Sequence, residues 1–300
     1  MREAEVVSRI RESAAAGYRH KQVVRGIGDD CAILRPGAAD ELVFTTDFVL
    51  EGRHFTLDTH SAADIGHKAL ARSLSDLAAM GSEPVFCLVS LAVPAELAGK
   101  WTAQFYKGLL GLASKYKLTL AGGDLSRFDR VVIDVMCCGR LPRGQAILRS
   151  GAKPGDRICV TGKLGGSAAG FRRGRGPGWK RHLRPEPRVQ LGIALRRLGI
   201  RAGMDISDGL AIDLHRLCIE SKVSADIDHP LPVARGATLD EALSGGEDYE
   251  LLFAAPREMQ LPKKIDGLPI TVIGTFKRGG VGRLTFNGEP LKPKGFDHFV

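Results

Sequence analysis

The chain has 300 residues, 44% hydrophobic and 26% charged, with a formal net charge of +9. About 150 residues per domain predicts two domains with real cores. No apolar run approaches the ~18 residues of a membrane span, and early acids at Glu3 and Glu5 argue against a signal peptide, so a cytoplasmic protein with no membrane partner is expected.

A short helix is predicted over 2–16, then a loop carrying Gly26-Ile27-Gly28-Asp29-Asp30. Leu42–Thr46 reads as a strand ending at Asp47. Residues 62–80 read as a helix, with Ser61 and Asp64 as a capping-box start, Gly81 as the stop, and Leu70, Leu74, Leu77 and Ala78 as its apolar stripe. Val85–Val93 is strand-like and Glu96–Tyr116 helical. Leu118–Ala121 is a strand broken by Gly122-Gly123-Asp124, and Val131–Cys138 is another strand. The turn formers of 151–156 mark a boundary, giving an N-terminal domain over 1–145 and a C-terminal one over 146–300. Arg157–Thr161 is then a strand, 162–170 a glycine-rich loop opening toward a helix, and 187–198 and 209–221 are helices. Tyr249–Ala254 and Ile270–Phe276 are strands, and Asn287-Gly288 signals a hairpin turn.

Charge and cysteine are unevenly placed. Residues 1–140 are charge-neutral, so 141–300 carry the whole excess, and 171–188 sets seven basic residues against Glu186 alone. That patch suits phosphate-bearing ligands, nucleic acid included. Its glycines and Pro177 predict a mobile loop through 174–178, suited to a lid over a phosphorylated substrate, with a solvated loop of no role as the plain alternative. Cys31, Cys87, Cys137, Cys138, Cys159 and Cys218 form no C-x-x-C pair and read as reduced, buried thiols.

The aspartates stand out by position. Asp30, Asp47, Asp124 and Asp205 fall at strand edges or in glycine-bearing loops, with Asp76 on a helix and Asp208 at a helix start. Carboxylates are ligands of hard cations, and magnesium takes a few of them together with water and phosphate oxygens. No histidines are interleaved, which argues against zinc or copper. Singly, each has a plain reading: turn residue, helix cap, or, for Asp76, an ion pair on the stripe of Lys68 and Arg72. The P-loop, the dinucleotide fingerprint and the protein-kinase catalytic loop are all missing. Gly162-Lys163-Leu164-Gly165-Gly166-Ser167 has a strand–loop–helix setting that offers N–H groups to an anion, and no nucleophile–base arrangement is compelled.

Ten ordered segments carry a resemblance: GIGDDCAIL (26–34), TTDFVLEGRHF (45–55), KALARSLSDLAAMG (68–81), AGGD (121–124), LRSGAKPGD (148–156), VTGKLGGSAAG (160–170), RHLRPEPR (181–188), DISDGL (205–210), SGGEDYEL (244–251) and GFDHF (295–299). From about residue 20 onward the chain resembles the thiamine-monophosphate kinases, of the superfamily that includes aminoimidazole-ribotide synthetase. The resemblance implies a two-domain α/β (α+β) architecture, an N-terminal sheet pairing across a homodimer, and ATP-dependent phosphorylation of thiamine monophosphate to thiamine diphosphate with several magnesium ions. By position it implies Asp30, Thr45, Asp47, Asp76, Asp124, Asp205 and Asp208 as metal ligands. Gly123, Arg149 and Ser207 would contact ATP, with Tyr106 near the nucleotide on a poorly matched block. His54, Glu247 and Phe296 would hold thiamine monophosphate, and Asp76, Asp124, Arg149 and Asp208 would carry the transfer. The chain departs from the family at 171–180, which is shorter and more basic, and at Leu125-Ser126-Arg127-Phe128.

Other enzymes of the superfamily compete. A selenophosphate synthetase wants a reactive cysteine near the N-terminus, where this chain has first Cys31; the hydrogenase-maturation enzyme uses a C-terminal cysteine, where this chain ends Phe299-Val300. DISDGL with SGGEDYEL favours the thiamine enzyme over the ribotide one. A basic nucleic-acid-binding protein is the alternative from another class, and it leaves the ordered aspartates unexplained, so no nucleic-acid partner is expected.

Overall fold

The computed structural model describes residues 3–25 and 33–297; Asp30, Cys31 and the last two residues of the GFDHF block lie outside the described residues. The chain divides into two compact units, Met1–Leu77 with Ser82–Gly144, and Ala78–Gly81 with Gln145–Val300.

In the first unit the elements are α1 (Glu3–Ala15), β1 (Val23–Arg25), β2 (Ile33–Leu34), β3 (Asp40–Leu50), α2 (Ala62–Ala79), β4 (Glu83–Val93), α3 (Lys100–Lys115), β5 (Thr119–Arg127) and β6 (Val132–Pro142). The sheet runs β3-β6-β4-β5, parallel only between β4 and β5. At the start of α2, the amide of Asp64 donates to Ser61 Oγ and that of Ser61 to Asp64 Oδ2, at 3.2 and 3.3 Å. This reciprocal cap satisfies two N–H groups that a helix end leaves orphaned. Leu70, Leu74, Leu77 and Ala78 are buried, and Ser73 Oγ donates to the Val135 carbonyl at 2.8 Å, tying α2 to β6.

Three boundaries differ from the sequence reading. β3 does not end at Asp47, because it pairs with β6 residue by residue from Asp40↔Pro142 to Leu50↔Val132. β5 is not broken by Gly122-Gly123-Asp124, which stay paired with β4. Gly123 has φ +151°, and a Cβ there would lie 2.0 Å from the Val89 carbonyl oxygen. The glycine therefore admits a neighbouring backbone rather than ending the strand. The helix predicted over 96–116 splits into a single 3₁₀ turn, Ala95–Leu97, and α3.

In the second unit the elements are β7 (Arg157–Thr161), α4 (Gly166–Arg173), α5 (Gly176–Leu183), α6 (Val189–Arg197), β8 (Ala202–Ile206), α7 (Leu210–Ser221), β9 (Ser224–Ile227), α8 (Leu239–Ser244), β10 (Glu250–Ala255), β11 (Lys264–Ile265), β12 (Leu268–Lys277), β13 (Leu284–Phe286) and β14 (Glu289–Leu291). The sheet order is β14-β13-β9-β12-β7-β10-β8, with β11 paired to β12. Its core gathers Ile158, Val160, Met204, Ile206, Leu214, Leu252 and Phe276. Asn287 and Gly288 both have positive φ, at 52° and 82°, which is the turn their pairing predicts between β13 and β14.

From Gly176 the basic segment is helical where a loop was expected through 174–178. It forms α4 and α5, with Pro177 in the first turn of α5, where its missing N–H costs no helix bond. Its glycines serve close packing: a Cβ on Gly170 would lie 2.0 Å from the Gly178 carbonyl carbon. Its charge is largely spent inside the unit. Arg172 pairs with Glu241 at 2.7 Å, Arg173 donates to the Gly236 carbonyl at 2.7 Å, and Arg181 and Arg188 pair with Glu250.

Candidate active site

In the first unit, β3 and α2 bring Thr45, Asp47 and Asp76 together. Alternation along β3 turns Thr45 and Asp47 to one face, and Thr45 Oγ1 donates a short hydrogen bond to Asp76 Oδ2. Arg72, one helical turn before Asp76, stands 3.6 Å from Asp47. The Asp47 carboxyl is pushed up to about 6, chiefly by burial and then by the charge of Asp76, with Arg72 pulling the other way. Two crowded acids with one nearby guanidinium make a site short of positive charge, and its donors are all hard oxygens. That suits magnesium. Asp30 would join this group in the sequence reading, but it lies outside the described residues. Among the described residues, no three His, Cys, Asp or Glu side chains come close enough to hold a metal by themselves.

Asp124 sits elsewhere on the sheet. Its row is Phe48, Asp134, Ser90 and Asp124, one step from the row Asp47, Val135, Val89 and Gly123, so the two rows face opposite sides. On that exposed side Thr46 Oγ1 donates to Asp134 Oδ1 at 2.5 Å, a pair that the sequence reading missed. His54 lies just beyond β3 and is buried. The Leu50 amide donates to its Nδ1 at 2.9 Å, which leaves the ring proton of the neutral tautomer on Nε2. Tyr106 is buried on α3, edge-on to Phe105, and lines a small cavity with Arg9, Ile10 and Ser13 of α1.

In the second unit, DISDGL forms the end of β8, a tight loop and the start of α7. Asp205 is buried on β8, the last strand of the sheet, opposite Leu251 of β10. Asp213, fully buried in the first turn of α7, organises the loop: its Oδ2 accepts the N–H groups of Ser207, Asp208 and Gly209 at 3.0–3.1 Å. Its carboxyl is pushed up to about 6 by burial and then by the charge of Asp208. Arg216 bridges the two acids, 2.6 Å from Asp208 and 2.8 Å from Asp213. The next two carbonyls of the loop hold incoming chain. The Glu247 amide donates to Ser207 O at 2.6 Å and the Phe296 amide to Asp208 O at 2.9 Å. Gly246 and Gly295 permit this approach, since a Cβ on either would lie within 2.9 Å of those same carbonyl oxygens. Asp205, Ser207, Asp208, Glu247 and Phe296 thus meet around one loop. Arg149 has an exposed side chain, and its carbonyl accepts from Ser221 Oγ at 2.8 Å.

The sequence reading also missed the supports of this loop. Asp248 Oδ atoms accept the amides of Gly165 and Ser167, so the glycine-rich turn before α4 has its N–H groups filled by the protein's own carboxylate. Burial raises that carboxyl despite the nearby Arg181. An acid two or three residues into a helix, such as Asp213, was a readable signal for loop capping; the Asp248 contact, 81 residues from its partner Ser167, was not.

Residues 28–141 match the family model described as AIR synthase related protein, N-terminal domain, and residues 153–287 that of its C-terminal domain. A thiamine-monophosphate kinase from Rhodopirellula baltica is 39% identical over 302 residues, spanning 92% of each chain. The crystal structure of a thiamine-monophosphate kinase from Stenotrophomonas maltophilia aligns with a TM-score of 0.85 at 35% identity, over 97% of this chain and 98% of that one. AaThiL, solved in complex with AMPPCP and TMP, aligns with a TM-score of 0.80 at 31% identity, over 100% of this chain and 99% of that one.

Proposed function

We propose, from the premise that this chain belongs to the thiamine-monophosphate kinase family, that it transfers the γ-phosphoryl group of ATP to thiamine monophosphate, yielding thiamine diphosphate and ADP. The observation that carries the reading is the loop 205–209, whose successive carbonyls tie down Glu247 and Phe296. It joins two expected metal ligands to two expected substrate contacts.

The acceptor is a phosphate monoester with a second pKa near about 6, so it is largely dianionic at neutral pH and needs no general base. What the enzyme must supply is positioning and charge neutralisation for two polyanions meeting in line. Thr45, Asp47, Asp76, Asp124, Asp205 and Asp208, with Asp30, are the proposed holders of magnesium, which when bound would neutralise phosphate charge. The crowding of Asp47 against Asp76 supports that role, because two adjacent half-buried acids favour a cation between them. His54, its ring held by the Leu50 amide at Nδ1, is a proposed contact of the acceptor. The Glu247 carboxylate and the half-exposed Phe296 ring suit the cationic heterocycle of thiamine monophosphate. Gly123, Arg149 and Ser207 are the proposed ATP contacts. Burial of Tyr106 beneath α1 makes it the least supported of the nucleotide residues.

A homodimer formed through the first sheet is supported by Phe44 and Phe48, which are 60% and 59% exposed on β3, an edge strand of that sheet. No helix among the described residues is long and apolar enough to cross a membrane.

The test is one assay with ATP, magnesium and thiamine monophosphate, followed by chromatography. Thiamine diphosphate and ADP are expected in equal amounts, at a rate that rises with pH through about 6 and then levels as the acceptor phosphate ionises. ADP without thiamine diphosphate would overturn the reading.

A further inference from the structure

The acidic loop between α8 and β10 is held in an unusual shape. Glu247 and Tyr249 both sit in the left-handed region, with φ of 63° and 50°, where residues with side chains are rarely found unless their surroundings over-determine them. The backbone restraints are the amides of Glu247 and Tyr249, which donate to the carbonyls of Ser207 and Ile206. The side-chain restraints come from the basic segment. Arg181 donates to the Asp248 carbonyl at 2.8 Å and to Glu250 at 2.9 Å, and Arg188 grips Glu250 through two hydrogen bonds of 2.8 and 2.6 Å. Between these arginines lies His182 on α5. It is 7% exposed, and its Nδ1 lies 3.1 Å from Glu247 Oε2 and 2.9 Å from Ser167 Oγ. Trp179 stacks on the imidazole at 5.3 Å between centroids, and Phe171 tilts against it at 5.1 Å.

We propose that His182 is a positioning residue that fixes the Glu247 carboxylate for the organic part of the phosphate acceptor. The inference rests on the proposed role of Glu247 as a substrate contact. An ionised carboxylate only accepts hydrogen bonds, so the imidazole meets it with Nδ1–H, and that same proton can reach Ser167 Oγ. The aromatic pair fixes the plane of the ring, and the ring fixes one carboxylate oxygen. A glutamate without this support would sample several rotamers, and ordering it on binding would weaken affinity. The basic segment therefore acts on the acceptor through the acidic loop, as a brace rather than a lid.

Two variants separate the ring from the hydrogen bond. His182→Phe keeps a flat ring between Trp179 and Phe171 but has no donor; His182→Asn loses the ring but carries an amide N–H where Nδ1 stood. KM for thiamine monophosphate and for ATP, and kcat, are measured for both variants, for Glu247→Gln, and for the double variant Glu247→Gln/His182→Phe. Loss of one hydrogen bond to a charged group predicts that His182→Phe raises KM for thiamine monophosphate about tenfold, with KM for ATP moved less than about twofold. His182→Asn should return to within about threefold of wild type, and the double variant should be no worse than Glu247→Gln alone, as coupled residues behave. If Glu247→Gln raises KM but His182→Phe does not, or if the two effects multiply, His182 does not act through Glu247 and the inference is overturned. If Glu247→Gln itself leaves KM unchanged, the substrate role of Glu247 falls first and takes the inference with it.

Discussion

Asp76 illustrates how one residue changes meaning with its neighbours. On a helix it reads as a surface acid, yet Thr45 donates to it, and its charge adds to the burial that raises the Asp47 carboxyl. Asp76→Asn keeps an oxygen that accepts the Thr45 hydroxyl, so the fold should hold while one anionic donor is lost. Turnover should fall about a hundredfold or more, with a higher magnesium requirement; near-normal activity at limiting magnesium would return Asp76 to the status of a plain helix acid. Gly123 is the opposite case, a residue defined by what cannot be there. With φ at +151° and the Val89 carbonyl 2.0 Å from any added Cβ, Gly123→Ala must separate β5 from β4. It should destabilise the protein by more than about 2 kcal/mol, read as a lower denaturation midpoint. An unchanged midpoint would mean that the strand pair yields without cost.

At the level of elements, the informative case is the basic segment. Composition pointed to a loop because glycine and proline are poor helix formers. In α4 and α5 they instead occupy a first-turn position and a helix–helix contact, and the helix break falls at Gly174 with φ +63°. The arginines follow the same pattern. Glu250 is fully buried and receives Arg181, Arg188 and the Thr161 hydroxyl. Removing its charge would take the nearest counter-charge from two partly buried guanidinium groups, so Glu250→Gln should lower stability by about 3 kcal/mol. Urea unfolding followed by circular dichroism would read this as a shifted midpoint; a shift of less than about 1 kcal/mol would mean that water compensates the arginines. On the surface, by contrast, the Glu241 carboxyl is held down at about 2 by Arg172, an exposed pair that salt screens and that contributes little to stability.

For the whole molecule, the exposed face of β3 is the feature that a single chain does not explain. Phe44 and Phe48 are too large and too exposed for a solvated sheet, and an eleven-residue edge strand with apolar side chains invites pairing. The double variant Phe44→Ser/Phe48→Ser should convert a dimer to a monomer in light scattering after size exclusion, and a wild-type monomer would remove the case for assembly. Local and repetitive signals were legible in the sequence: the cap of α2 at Ser61 and Asp64, its apolar stripe, the Asn287-Gly288 turn, and the aspartates in order along ten matched segments. These depend on residues within a few positions of one another, or on motif order, and both survive in a linear string. Tertiary structure alone decided that Asp124 shares a sheet row with Asp134 rather than with Asp47, that Asp248 fills the glycine-rich turn, and that Arg181 and Arg188 turn inward to Glu250. Each of those outcomes depends on strand register or on contacts between residues far apart in the chain. A one-residue shift in register exchanges the faces of a strand, and burial decides whether a charge meets water or a partner.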